Sequence, residues 1–255
     1  MLCVSRGVVA ILGLVCGRTS LAEDSKAATP RITAIAPIEV VPGTTATLRI
    51  RGVALNGATE IRFAGAPLSI RGDITTRKNA EVPNGLEAKD VGDTMVEVNV
   101  VVPAELPSGT LALSVVTPDG MTPPREVRVV AASQIVDEKE PNGGFREAQP
   151  IEIGMTIRAL VKEDKDVDVF AFEGVARQKI IAEVIAARCA SLLDSVLTIY
   201  DAAGHLLATS DDAATRDAQL ALELPANGKY YVSVQDAQDR GGAWHAYELI
   251  VRQTP

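Results

Sequence analysis

Short runs rich in β-branched residues recur along this chain with turn signals between them, a pattern that restricts it to a β fold. Several runs alternate apolar and polar residues, as half-buried strands do. Glycine follows proline, asparagine or aspartate between them, as in Pro42-Gly43, Asn56-Gly57 and Asp119-Gly120. With 255 residues, 47% of them hydrophobic, the chain is long enough for two domains with cores. The pattern predicts an all-β protein of two β-sandwich domains in tandem.

The first 22 residues are predicted to form a secretory signal peptide. Arg6 supplies a positive start, residues 8–16 are apolar, and small residues precede a cleavage site after Ala22. The apolar run is shorter than the ~20 residues of a membrane span, so no span is expected. We therefore expect a secreted, periplasmic or cell-surface protein that begins with a polar segment, residues 23–30.

The cysteines allow a second interpretation of the amino terminus. A lipoprotein anchor on Cys16 is the alternative, although Val15 stands where a small residue is expected. Removal of the signal peptide leaves Cys189 as the only cysteine, so no internal disulfide is expected. Cys189 has apolar neighbours and is predicted to be buried and inert.

The first half of the chain resembles a known family. The stretches PRITAIAPIEVVPGTTATLRIRGVALNGATEIRFAGAPL and VVVPAELPSGTLALSVVTPDG are similar to the opening and the later part of an IPT/TIG immunoglobulin-like domain. The resemblance covers residues 31–131 and implies an immunoglobulin-like sandwich that acts as a spacer or a protein contact. The polar stretch 69–93 is expected to be an extended loop or a loop with an added hairpin.

The second half, after a predicted linker at residues 132–141, resembles the bacterial pre-peptidase C-terminal (PPC) domain over residues 138–252. Its markers occur in order: an E-P-N start, a D-x-D-x-F-x-F strand, LDSVLTIYDAAGHLL, LPANGKYYVSV and a closing YELIV strand. The resemblance implies a jelly-roll-like β-sandwich, a module that is found attached to secreted proteases and other bacterial surface proteins.

Oxygen-bearing side chains occupy alternate positions near the start of this second domain. They form two rows, Glu138, Glu140 and Asn142, and then Asp164, Asp166 and Asp168. Alternate side chains of an extended segment share a face, and calcium takes six to eight oxygen ligands. One interpretation of the rows is therefore a metal site.

The PPC resemblance implies a specific ligand set for calcium. It consists of Glu138, Glu140, Asn142, Asp166 and Asp168, with Asp164 as a further candidate. Gly143 departs from the family pattern, because metal-binding relatives often carry Asp or Asn there. The alternative interpretation is an acidic linker in solvent, followed by aspartates that satisfy turn amides. Both interpretations stay open, and no other cofactor is expected.

The second half is strongly acidic, which limits its partners. Residues 132–255 hold 12 basic and 20 acidic side chains, whereas residues 26–131 hold 11 of each. Nucleic-acid phosphates require patches of Lys and Arg, so no nucleic-acid partner is expected. The acidic excess is compatible with a divalent cation.

The sequence carries none of the common catalytic motifs. His205 and His245 are the only histidines, and neither belongs to a His-Glu-x-x-His motif. No Gly-x-Ser-x-Gly elbow is present either. We predict that the protein is not an enzyme, with an unrecognised hydrolase that uses one of these histidines as a remote alternative.

Eight of the nine aromatic residues lie in the second half, and aromatic side chains are favoured anchors at interfaces. Tyr230 and Tyr231 are adjacent in a strand, so one of them must point outward. Trp244 follows Gly241-Gly242 in a loop that either exposes the ring or folds it back over the sandwich edge. Tyr231 and Trp244 are the predicted binding surface, while Tyr200 is expected in the core.

Together these features predict an exported, non-catalytic protein whose C-terminal module binds an extracellular polymer or protein, with calcium as a stabilising ion. The alternative is a chaperone or assembly accessory for a separately encoded secreted protease, because the PPC family is often attached to proteases and this chain carries no protease motif.

Overall fold

The computed structural model describes residues 28–213 and 215–254, and regular structure within them is almost entirely β. The all-β prediction is confirmed. The predicted signal peptide, Cys16 and most of the polar segment 23–30 lie outside the described residues. In the part that is described, no helix has the length and apolar character needed to cross a membrane.

Nine strands between residues 31 and 129 share one hydrogen-bonded sheet. They are β1 (Arg31–Ala36), β2 (Glu39–Val40), β3 (Thr45–Val53), β4 (Glu60–Ala64), β5 (Arg71–Asn79), β6 (Thr94–Val101), β7 (Gly109–Thr117), β8 (Gly120–Met121) and β9 (Arg125–Val129), with a short helix α1 (Ala88–Val91) after β5. The order is β1-β3-β6-β5-β4-β7-β9-β2, and β8 pairs with β7. Only Pro37 and Ile38 separate β1 from β2, so the sheet curls until its two ends meet.

The inward-facing residues of this curled sheet form its core. They include Leu48, Ile50, Val96, Val98, Leu111, Leu113, Val115 and Val127, all buried. They recur at every second position along β3, β6 and β7, which is the alternation that the sequence predicts. Each such aliphatic side chain contributes roughly 1.5–3 kcal/mol of hydrophobic stabilisation when it is fully buried.

The polar stretch 69–93 is not the extended loop expected from the sequence. Residues 71–79 form β5, which pairs antiparallel with β6 over almost its whole length. All but two of its nine residues carry polar side chains, so its hydrophobic pattern is too weak to mark it as a strand. β5 belongs to the sheet because its backbone pairs with the apolar strand β6. Hydrophobic periodicity in the sequence does not indicate such pairing.

The second half contains two five-stranded sheets. The strands are β10 (Ile135–Asp137), β11 (Gln149–Pro150), β12 (Thr156–Leu160), β13 (Val167–Gly174), β14 (Lys179–Ile185), β15 (Ser195–Tyr200), β16 (Leu206–Ser210), β17 (Gln219–Glu223), β18 (Gly228–Asp236) and β19 (Ala246–Gln253). One sheet has the order β10-β12-β19-β14-β17 and the other β11-β13-β18-β15-β16. Ile157, Val184 and Leu249 of the first sheet share a core with Phe170 and Val232 of the second. The two sheets therefore pack face to face as a sandwich.

The segment between the two halves is bonded to the second half. A 3₁₀ turn (Ala132–Gln134) leads into β10, which pairs in parallel with β12. The amide of Glu138 then donates to the carbonyl of Arg158 at 3.0 Å. Residues 135–138 of the predicted linker are therefore part of a sheet edge.

The two halves touch through backbone and apolar contacts. The amide of Ile35 donates to the carbonyl of Ala190 at 2.9 Å. Ile38 packs with Ile185 and Cys189, all of them buried. Burial raises the pKa of the Cys189 thiol to about 12, which agrees with the predicted inert cysteine.

Buried charges also lie at this junction. Arg128 contacts the carboxylate of Glu248 at 3.1 Å, and Arg158 contacts that of Glu39 at 3.3 Å, so each ion pair joins one half to the other. The two glutamate side chains are 0% and 2% exposed, respectively. Burial, and then the charge of Glu248, raises the pKa of Glu39 to about 7.

Candidate metal centre and binding surface

Three carboxylates from two separate segments converge beside the start of β13. Glu140 lies after β10, Asp166 in the turn before β13, and Asp168 on β13 itself. One oxygen of each lies within 4.8 Å of an oxygen of the others. Asp166 is held in this turn because its Oδ2 accepts the amide of Lys162 at 2.7 Å. This spacing suits three ligands of one cation.

Two buried oxygens beside this cluster have no hydrogen-bond partner among the described residues. Asn142 is fully buried, and its Nδ2 donates to Glu138 Oε1 at 2.8 Å, which leaves its Oδ1 without a partner. Asp168 is also fully buried, and its Oδ2 accepts the hydroxyl of Tyr247 at 2.6 Å, which leaves its Oδ1 without one. Unpartnered buried acceptors are costly, and a cation is the group that satisfies several of them at once.

The electrostatics of the cluster favour the binding of a cation. Burial, and then the charge of Glu138, raises the pKa of Asp168 to about 9. Burial also raises the pKa of Glu138. Within the part of the chain that the structure covers, no lysine or arginine forms an ion pair with Glu138, Glu140, Asp166 or Asp168.

Two members of the predicted ligand set have other partners. Glu138 accepts the amide of Leu160 and the side-chain amide of Asn142, so it orients Asn142. Asp164 accepts the amide of Gly241 at 3.1 Å and lies outside the three-carboxylate cluster. The structure thus brings Glu140, Asp166 and Asp168 together, with Asn142 directed by Glu138.

The residues present fit a hard cation such as calcium. Every donor in the cluster is an oxygen, from carboxylates and one amide, and calcium accepts this set in flexible geometry. Gly143 follows Asn142 with open space around it. A Cβ there would meet only the carbonyl of Val167 at 3.6 Å. The departure at Gly143 therefore leaves room for a further ligand or a water.

A second candidate site is an aromatic surface on the outer face of the β11-β13-β18-β15-β16 sheet. Tyr231 stacks on Phe145 with ring centroids 4.6 Å apart, and Tyr200 meets Phe145 edge-on at 5.1 Å. Tyr200 and Tyr231 are opposite each other in the pairing of β15 and β18, so they share a face. Phe145 is 41% exposed. We call Phe145, Tyr200 and Tyr231 the aromatic surface.

The prediction that Tyr200 lies in the core is wrong. It is half-buried on the outward face, whereas Ile199 before it is fully buried. The alternation along β15 carries this signal, because Leu197 and Ile199 point inward and the next residue must point outward. Phe145 has no such signal, because it follows Gly143-Gly144 outside any strand.

Polar side chains border the aromatic surface. Arg146, Glu173 and Lys229 line a cleft of about 270 Å³ together with Phe145 and Tyr231. Tyr230, in contrast, is buried and its hydroxyl donates to the carbonyl of Ala226 at 2.7 Å. The outward member of the tyrosine pair is thus Tyr231.

Trp244 lies at the junction between the halves and is partly buried. The guanidinium carbons of Arg49 and Arg51 lie 5.3 and 6.0 Å from its ring centroid, and its carbonyl accepts the amide of Leu192 at 2.8 Å. Its ring therefore covers the edge of the second sandwich against the first half. Cation–π contacts with Arg49 and Arg51 therefore hold the Trp244 ring at the junction. A cleft beside the ring is also lined by His245.

The candidate catalytic residues are His205, which is exposed, and His245 and Cys189, which are buried. His205 is exposed in the β15–β16 turn, where its Nδ1 lies 3.0 Å from Asp201 Oδ2. His245 is buried, and burial lowers its pKa. Cys189 is buried with a raised pKa, which disfavours the thiolate needed for nucleophilic catalysis.

Comparison with known proteins gives partial similarities. No family model matches the chain. A stretch of 119 residues, 45% of the chain, is 40% identical to part of a probable subtilase-type serine protease of Deinococcus radiodurans. The match spans 16% of that protease, so the chain corresponds to a small part of its length.

The solved structures that the comparison matches to this chain include two of different kinds. The pre-peptidase C-terminal domain of a Bacillus anthracis collagenase matches over its whole length and 45% of this chain, with 20% identity and a TM-score of 0.36. A Bacteroides ovatus SGBP-B protein of a mixed-linkage glucan utilization locus, in complex with a heptasaccharide, matches over 78% of this chain and 71% of its own, with 11% identity and a TM-score of 0.25.

Proposed function

We propose that this protein is an exported, non-catalytic accessory protein whose second half binds an extracellular polymer through the aromatic surface. The observation that carries the proposal is the stacked and partly exposed pair Phe145 and Tyr231, with Tyr200 beside it. Rings that are already packed together lose little entropy on binding and offer a large apolar contact area. The polar rim of Arg146, Glu173 and Lys229 supplies hydrogen bonds around that area.

Calcium has a structural role in this proposal. Glu140, Asp166, Asp168 and Asn142 would hold the ion, and the ion would satisfy the two unpartnered buried oxygens described above. Phe145 follows Asn142 by three residues, so an ion that fixes Asn142 also fixes the start of the segment that carries Phe145. The first half serves as a spacer or a protein contact.

Polymer binding is tested by pull-down with insoluble polymers, namely cellulose, chitin and fibrous collagen, under calcium. Tyr231→Ala with Phe145→Ala should release the protein from the polymer that retains the wild type. The matched control is Val101→Ala, which removes an apolar side chain that is 65% exposed in the first half. Equal retention of wild type and double variant on every polymer would remove the aromatic surface as the binding site.

Calcium binding is tested by thermal melting with calcium and with chelator. An ion that binds only the folded state raises stability by ~2.7 kcal/mol at a hundredfold excess over its dissociation constant. Asp166→Ala and Glu140→Ala should abolish the rise in melting temperature. Glu163→Ala, an exposed neighbour outside the cluster, should keep it. No rise at millimolar calcium would leave the segment as an acidic turn.

The similarity to part of a subtilase-type protease favours a second candidate, an assembly accessory for a separately encoded secreted protease. Pull-down from secreted extract separates the two roles. Recovery of a single protease, with no insoluble polymer that retains the protein, would support the accessory role.

A further inference from the structure

A cleft of about 500 Å³ lies between the two halves, away from the metal cluster and the aromatic surface. The first half contributes the start of β1, helix α1 and the start of β9. The second half contributes the turn after β14 and residues 215–216. Its size lies in the range of ordinary ligand sites.

Positively charged side chains are concentrated along this cleft, although the chain as a whole has a net charge of −8. Its charged lining is Arg31, Lys89, Arg125, Arg188 and Arg216 against the single carboxylate of Asp90. These cations come from distant parts of the sequence, so only the fold brings them together. Such a concentration within an acidic chain attracts anions locally, because cleft walls focus the field.

The five cations differ in how far they are neutralised. Arg188 is tied to Glu183 at 2.6 Å and to Asp217 at 3.2 Å, so its charge is already compensated. In the described part of the chain, no carboxylate lies within ion-pair distance of Arg31 or Arg125. Arg125 has only 3.4 Å contacts from Nε and Nη2 to the carbonyl of Ile32.

Two further cations have exposed side chains that are held by ion pairs. Lys89 pairs with Glu87, and both side chains are about two-thirds exposed. Arg216 pairs with Asp194 at 3.2 Å and is itself 57% exposed. Exposed pairs contribute little to stability, so these side chains can turn toward a ligand at small cost. Four cations are then available to an anion, and one carboxylate, Asp90, opposes it.

We propose that this cleft binds an oxyanion, a sulfate or carboxylate group, with Arg31 and Arg125 as its principal contacts. The guanidinium groups offer paired N–H donors that match the geometry of such groups. The same chemistry is presented by a free ion and by a charged group on an acidic polysaccharide. Arg31 and Arg125 belong to the first half, whereas Arg216 of the second half lines the same cleft, so an oxyanion that also contacts Arg216 stabilises the contact between the halves. The site is independent of the aromatic surface and of calcium.

The test uses the mature full chain with three anionic probes and two controls at equal ionic strength. Sodium sulfate is compared with sodium chloride by thermal melting, and dextran sulfate and polygalacturonate are compared with neutral dextran by calorimetry. Sulfate should raise the melting temperature above the chloride value by more in the wild type than in Arg125→Ala, because the general stabilisation of folded proteins by sulfate acts on both equally. A charged polymer that binds more tightly than sulfate identifies a polymer as the source of the group. Polymers that bind no more tightly than sulfate identify a free ion.

Single substitutions locate the site. Arg125→Ala and Arg31→Ala should each weaken anion binding about tenfold or more, the loss expected for one charge-assisted hydrogen bond. Both side chains are exposed, so the folded protein should survive either change. The matched control is Arg71→Ala. Arg71 pairs with Val101 at the far end of β6, whereas Arg31 lies beside the other end of the sheet.

Two results would overturn the proposal. One is a sulfate-induced rise in melting temperature that is equal in the wild type and in Arg125→Ala, together with no binding of either charged polymer. The other is a loss of binding in Arg71→Ala as large as in Arg125→Ala, which would show attraction to general surface charge. The Tyr231→Ala, Phe145→Ala variant should still bind the anions. That result separates the test of the cleft from the test of the aromatic surface.

Discussion

Replacing Glu39 by glutamine should flatten the pH dependence of stability between pH 4.5 and 7. The pKa of Glu39 is raised from 4.5 to about 7 by burial first and by Glu248 second, while Arg158 opposes the rise. A carboxyl whose folded-state pKa exceeds its unfolded-state value binds its proton more tightly when folded. Its contribution to stability is fully present below pH 4.5 and is lost as the pH rises through 7.

The magnitude follows from the size of the shift. One pKa unit corresponds to ~1.4 kcal/mol, and the pKa of Glu39 moves from 4.5 to about 7. From about pH 8 to about pH 4.5, the free energy of unfolding of the wild type should therefore rise by about 3 kcal/mol more than that of Glu39→Gln. Arg158 and Glu248, which face Glu39 across the junction, and Arg128, which lies opposite Glu39 in the pairing of β2 and β9, are unchanged in both proteins, so the difference isolates one carboxyl.

Urea denaturation at stepped pH, followed by the fluorescence of Trp244, measures this difference, because that ring lies at the same junction. Chelator is present throughout so that metal binding does not contribute. Glu105→Gln, which removes an exposed carboxyl, should follow the wild type. Parallel pH curves for wild type and Glu39→Gln would refute the argument that the buried carboxyl at the junction controls stability in this range.

Three further predictions concern the metal cluster and the thiol. Gly143→Asp should add a ligand in open space and enlarge the melting shift at sub-saturating calcium, and an unchanged shift would mean that this position does not face the ion. Tyr247→Phe should lower the free energy of unfolding in chelator by about 1–3 kcal/mol, because Asp168 loses its 2.6 Å donor; equal urea midpoints would contradict this. Cys189 should resist a thiol reagent in the folded protein and react in urea, since it is buried with a pKa near 12; rapid labelling of the native state would exclude that environment.

The fold class is predictable from the sequence because apolar alternation and turn residues act locally. β3, β6 and β7 show that alternation and are strands. β5 is the exception, because its side chains are mostly polar and its pairing with β6 is made by the backbone. Local pattern therefore identifies strands with a buried face and misses a strand that is held mainly by its neighbours.

The candidate metal site is predictable only in part. Alternation along one segment suggests that Glu138, Glu140 and Asn142 converge, yet Glu138 binds the side-chain amide of Asn142 and Glu140 joins Asp166 and Asp168 across the sheet. Which oxygen is left without a partner depends on three-dimensional contacts. The same holds for the oxyanion cleft, whose arginines lie far apart in the sequence, from Arg31 to Arg216.

The contact of Ile38 with Ile185 and Cys189 has a consequence for redox chemistry. The single thiol of the described chain is covered partly by a residue of the first half, and the predicted export places the protein among oxidants. A cut that released the first half would uncover this thiol, and two such fragments could then join through an intermolecular disulfide. In the intact protein, the contact of Ile38 therefore helps to keep the Cys189 thiol away from solvent oxidants.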